Sequence, residues 1–94
     1  MENRIDVYAR ALAAYGEDMQ VVVALEELSE CQKELCKLLR GQGSRENLAE
    51  EVADVIIMME QRMLIFGIGG TVEREIARKV ERLEKRLRGC PDGE

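Results

Sequence analysis

Apolar residues recur along this chain at intervals of three and four, in four blocks parted by glycines. Ile5, Tyr8, Leu12 and Tyr15 set the first block, and their spacing predicts a helix over 3–15 that Gly16 breaks. Val21, Leu25, Leu28, Leu35 and Leu39 set the second, a helix over about 18–40. Glu17 or Asp18 can cap it and suits the positive end of its dipole. Leu48, Val52, Val55, Met59, Met63 and Phe66 set a third helix over 45–66, with Ser44 as its cap. Gly67-Ile68-Gly69-Gly70 reads as a stop and turn, and Thr71 as the cap of a fourth helix over 72–88. Val72, Ile76, Val80, Leu83 and Leu87 are its stripe, and 89–94 is a frayed tail. The expected fold is all-α, one domain over 1–94, with four helices.

The first half of the second helix is apolar almost all round, from Met19 to Leu25. A helix of that kind is buried on every side, which a chain of 94 residues has few helices to achieve. The bundle is therefore expected to be completed by oligomerisation, as a homodimer or homotetramer.

Two acidic clusters interrupt these stripes: Glu26-Glu27-Leu28-Ser29-Glu30 and Glu50-Glu51-Val52-Ala53-Asp54. Glu27 and Glu30 are three apart, as are Glu51 and Asp54, so each pair shares a helix face. The intervening loop, Gly41-Gln42-Gly43-Ser44, is short enough to make the two helices antiparallel neighbours. Counted from that loop, the two pairs fall within about one helical turn of the same height. Four carboxylates gathered there repel one another unless a cation sits between them. Oxygen donors alone suit a hard cation, Mg²⁺ or Mn²⁺, and Mg²⁺ held by carboxylates typically bridges them to substrate phosphates. The bland alternative for either pair alone is a solvated helix face.

Composition narrows the classes. The chain has one Pro, three aromatic residues and a net charge of −5, which favours helix and disfavours general nucleic-acid or anionic-membrane binding. It has no His, which removes His metal sites, His general bases and the Glu-x-x-His di-iron pattern. Cys31, Cys36 and Cys90 fit no zinc spacing, and Cys31 and Cys36 lie about 140° apart around a helix, too far to bridge. They read as free thiols of a cytoplasmic protein without signal peptide or membrane span. The glycine run lacks the Lys-Ser/Thr of a phosphate loop, and Met58, Met59 and Met63 read as core. Lys79 falls almost on the stripe of the fourth helix. It is either a snorkelling side chain or a cation aimed inward at phosphate together with Arg82.

Glu-Glu-x-x-Glu on one helix and Glu-x-x-Asp on the next resembles the pattern of the MazG-like all-α nucleoside triphosphate pyrophosphohydrolases, most closely the short single-domain members. Tyr15-Gly16 and Gln20 before the first motif, and Ala53-Asp54-Val55 closing the second, agree with it. The resemblance covers about residues 5–88. It implies a four-helix MazG-like bundle that hydrolyses a nucleoside triphosphate to the monophosphate and pyrophosphate with Mg²⁺. By motif position it implies Glu27, Glu30, Glu51 and Asp54 as metal ligands. It implies Glu26, or a ligand carboxylate such as Glu30, as the group that orients the attacking water. Family members carry a downstream Lys followed by Asn and a further basic residue. Here the region reads Lys79-Val80-Glu81-Arg82 without that Asn, and Lys79 and Arg82 are the implied phosphate contacts. Tyr8, Tyr15 and Phe66 are the residues able to stack on a base. The competing reading is a non-catalytic helical oligomer, a nucleotide sensor or adaptor, without turnover.

Overall fold

The computed structural model describes residues 4–89, and these form an all-α fold of four helices with no strand. They are α1 (Ile5–Tyr15), α2 (Glu17–Leu39), α3 (Arg45–Phe66) and α4 (Gly69–Leu87). The expected start of the first helix, at residue 3, and the tail from Cys90 onward lie outside the described residues.

Two glycines set the corners. At the end of α2, the Gln42 N–H donates to the Lys37 carbonyl and the Gly41 N–H to that of Leu38, at 2.8 and 3.0 Å. This crossed pair needs a left-handed residue at Gly41, whose φ is +74°. The same motif ends α3, where Ile68 N–H donates to Met63 and Gly67, at φ +64°, to Leu64. Ser44 caps α3 as its sequence predicts, its Oγ accepting from the Asn47 N–H at 3.0 Å.

Two expected helix starts are corrected. Gly16, not Glu17 or Asp18, is the N-cap of α2, and both acids lie inside the first turn, where they meet the dipole rather than cap it. Gly69 and Gly70 are not part of a turn. The crossed pair at Gly67 reverses the chain so tightly that α4 begins at Gly69, with Ile68 as N-cap and a Val72 N–H to Ile68 carbonyl bond of 2.8 Å. Thr71 is consequently inside the first turn, and its Oγ1 accepts from Arg74 instead of capping.

The body of the molecule is the α2–α3 hairpin. α1 lies against both of its helices, whereas α4 touches α3 alone. An ionic pin fastens α1. Arg4 donates from Nε and Nη2 to the two carboxylate oxygens of Glu60, at 2.9 and 2.7 Å, and the buried Tyr8 hydroxyl donates to Glu60 as well. These donors hold the Glu60 carboxyl down at about 2.

Burial runs against the usual sense. The buried residues are Gln20, Glu34 and Gln61 together with Tyr8 and Ala24, and among the described residues no side chain is completely enclosed. Meanwhile Met19, Val22, Leu25, Leu28 and Leu35 of α2 stand exposed, as do Ile76, Val80, Leu83 and Leu87 of α4. The accessible surface is 7065 Å², where a compact monomer of this mass exposes about 5,500 Å². The radius of gyration is 16.5 Å, where about 12 Å is usual for this length. No helix among the described residues is long and apolar enough to cross a membrane.

Candidate metal centre

The site lies in the seam between α2 and α3. Arg62 of α3 donates from Nη1 to the backbone carbonyl of Gln20 on α2 at 2.7 Å, across the antiparallel pair. Seven residues further along α2, and eight back along α3, the same register brings Glu27 opposite Asp54. Gln20, Glu27 and Glu34 recur every seven residues and so share the face of α2 turned to the seam. From α3, Glu51, Asp54, Gln61 and Arg62 fall within about 100° of one another.

Glu27, Glu51 and Asp54 each bring one carboxylate oxygen within 4.8 Å of the other two, and all three are half-buried. Burial raises the carboxyl of Glu27 above its ordinary value. Repulsion from Asp54 and Glu51, a side-chain hydrogen bond to Asp54 and the charge of Glu30 add to this. The Glu51 carboxyl is raised in the same sense by burial, then by Asp54, Glu30, Glu34 and Glu50. The seam has thus concentrated negative charge where solvent screens it poorly. No cation of the described residues neutralises the three: the nearby ion pair, Lys37 to Glu34 at 3.3 Å, uses a carboxylate outside the group.

The donor set fits a hard divalent cation. All three groups are carboxylates, and their spread is comparable to the span across an octahedral ion with bonds of about 2.1 Å. Glu51 Oε1 is buried and accepts no hydrogen bond, and Glu34 Oε1 is in the same condition. A buried acceptor without a donor is costly unless a ligand completes it.

The other predicted site residues fall at different distances from this centre. Glu30 is exposed and outside the converged group, because three residues on from Glu27 it is turned about 60° away around α2. It remains near enough to raise Glu51. Glu26 is exposed on the outer face of α2. Lys79 is exposed and Arg82 half-buried on α4, which makes no contact with α2, so one chain does not bring them to Glu27. Tyr8 is committed to Glu60, while Tyr15 and Phe66 are 67 and 60 % exposed. Cys31 and Cys36 are free thiols.

Residues the sequence pattern did not single out complete the seam. Glu34 is 8 % exposed and Gln61 7 %. The Arg62 guanidinium is lowered from its ordinary value by burial, and its Nε and Nη2 have no acceptor. The available signal was the heptad Gln20-Glu27-Glu34, which places polar side chains on one line of α2. Compared with known proteins, the chain matches no family model, no curated protein and no solved structure.

Proposed function

We propose that this chain is a Mg²⁺-dependent nucleoside triphosphate pyrophosphohydrolase, active as a homodimer or homotetramer. The observation that carries the reading is the convergence of Glu27, Glu51 and Asp54 from two helices into a half-buried group with no protein cation to neutralise it. The motif resemblance supplies the reaction, and the geometry supplies a reason for the motif: the spacing gathers the carboxylates at one height of a hairpin.

Glu27, Glu51 and Asp54 would hold the ion. When bound, Mg²⁺ offsets the charge of both carboxylates and substrate phosphates and polarises the phosphorus under attack. The chain's own part is positioning. The hairpin fixes the three donors before substrate arrives, which suits a reaction governed by placement and charge stabilisation. Water adds at the α-phosphorus and pyrophosphate leaves. Glu30, exposed beside Glu51, is the carboxylate best placed to orient that water and accept its proton, and Glu26 lies further out. Lys79 and Arg82 would contact the β- and γ-phosphates only from a second copy, because their own α4 does not reach α2.

The test is pyrophosphate release over a panel of ordinary and modified nucleoside triphosphates, with and without Mg²⁺. Release that requires Mg²⁺ and is lost in Glu51→Ala is the expected result. Full Mg²⁺-dependent activity in Glu51→Ala would overturn the site. Nucleotide binding with no release would make the chain a sensor.

A further inference from the structure

α4 is the most amphipathic helix of the chain, and none of its residues is buried. Ile76, Val80, Leu83 and Leu87 are 50, 59, 52 and 79 % exposed. An apolar stripe of that length is not left in water by a stable fold, and most of a helix's stability comes from packing such a face. An open groove of about 600 Å³ runs along the first half of α3. Leu38, Leu48, Ala49, Val52, Ala53 and Ile56 line it, and Arg45 is its one charged lining residue. The chain's own α4 leaves both the stripe and the groove uncovered.

Three properties of the two surfaces match. The stripe from Val72 to Leu87 is about 22 Å long and the groove from Arg45 to Ile56 about 17 Å, at 1.5 Å per residue. The charges are complementary: α2 and α3 together carry eleven carboxylates against four basic side chains, whereas α4 carries six basic side chains against four carboxylates. Lys79, Arg82 and Arg86 flank the stripe on one side, and the exposed Glu46 and Glu50 stand beside the groove. The area is also right. The chain exposes 7065 Å², which is about 1,500 Å² above a compact monomer. That surplus is about twice the 800 Å² or so that one partner contributes to a standard interface, as two contacts per chain require.

We infer that α4 of one copy lies in the α3 groove of a second copy, with the reciprocal contact made at the same time, as a closed two-fold dimer. The inference rests on the oligomeric part of the function proposed above, and it names the surfaces and the pairing. In a two-fold pair, α4 meets the groove twice, so each copy covers both its α4 stripe and its α3 groove. The packing is that of an amphipathic helix in an apolar groove.

The experiment uses full-length chains with Cys31, Cys36 and Cys90 replaced by Ser. One carries Ala49→Cys in the groove and the other Val80→Cys on the stripe, and the two are mixed, re-equilibrated and oxidised with diamide. The expected product is a disulfide dimer containing one chain of each kind, with little dimer from either variant alone. Ala49–Ala49 or Val80–Val80 analogues of that bridge, formed in the single-variant samples, would overturn the pairing and leave the oligomer standing. Light scattering of the unaltered protein showing a monomer at 50 μM or so would overturn the pairing and the oligomeric reading together. Ile76→Glu with Val80→Glu should abolish the dimer while circular dichroism retains the helical signal of the α2–α3 hairpin. A dimer that persists in this variant would also overturn the inference.

Discussion

Arg62 reaches across from α3 to the backbone carbonyl of Gln20, 2.7 Å away, in the same antiparallel register that sets Asp54 opposite Glu27. The guanidinium is nevertheless poorly served. Nη1 has its acceptor, but Nε and Nη2 are buried without one, and burial lowers its affinity for the proton. A charged group is thus retained in a place where an apolar one would satisfy the packing.

Replacing Arg62 by Met should therefore leave thermal stability unchanged or raise it. Each unpartnered buried donor costs about 1–3 kcal/mol, and removing it along with its charge offsets the lost bond to Gln20. The Gln20 carbonyl loses little, since it lies within α2 and its helical bond remains. A fall in Tm of more than about 5 °C, equivalent to about 1 kcal/mol in a domain of this size, would show that Arg62 is a net stabiliser.

The carboxylates make the metal-free protein respond to pH in two opposed ways. Glu27 and Glu51 are raised above the ordinary carboxyl value, so the folded state binds protons more tightly than the unfolded chain. Their unfavourable contribution is present where both are charged and is relieved as pH falls through their raised values. Urea unfolding of the metal-free protein should accordingly show higher stability at pH 5 than at pH 7. Glu27→Gln with Glu51→Gln should flatten that rise. A double variant that keeps the full rise would place its source elsewhere.

Glu60 titrates the other way. Its carboxyl is held at about 2 by Arg4 and Tyr8, so its contribution is complete above 4.5 and is lost as pH falls towards 2. Half of the Arg4 side chain faces solvent, which weakens the pair. Glu60→Gln should lower stability by about 1 kcal/mol at pH 7 and by nothing measurable at pH 2. Urea titrations at the two pH values check this, and equal losses at both would mean that Glu60 acts through packing and not through charge.

Much of this arrangement was legible from spacing. The bounds of α3 were clear because both of its ends carry chemistry with one structural solution, a Ser44 cap and a left-handed Gly67. The meeting of Glu27 with Glu51 and Asp54 was legible because a short loop and a helical repeat together fix an antiparallel register. The start of α4 was not, since Gly69 and Gly70 look like breakers until the crossed bonds at Gly67 complete the reversal without them. Glu30 stands outside the group of three, because two residues three apart share a face only to within about 60°. The polar seam was missed for a different reason. The periodicity followed the apolar stripes inward, yet this hairpin buries Gln20, Glu34 and Gln61 and turns Leu25, Leu28 and Leu35 outward. The heptad Gln20-Glu27-Glu34 marks a polar line on α2, but spacing alone does not tell a solvated line from one pressed against another helix.

That inversion gives the last prediction, which concerns the ion and needs no substrate. If the charge in the seam awaits a cation, Mg²⁺ should raise the Tm of the protein in the absence of any nucleotide. The stabilisation should grow with the logarithm of concentration, reaching about 2.7 kcal/mol at a hundredfold excess over the dissociation constant. Glu51→Gln should raise the Tm of the metal-free protein, because burial and the neighbouring carboxylates all oppose the Glu51 charge. The same variant should blunt the Mg²⁺ response, because it removes one of the three convergent donors. The two effects have opposite signs in one protein, which separates a ligand from a structural group. A carboxylate that merely supports the fold would lower the metal-free Tm on substitution and leave any salt effect intact. Scanning calorimetry at matched ionic strength, with NaCl replacing MgCl₂ in the control, distinguishes binding in the seam from general screening.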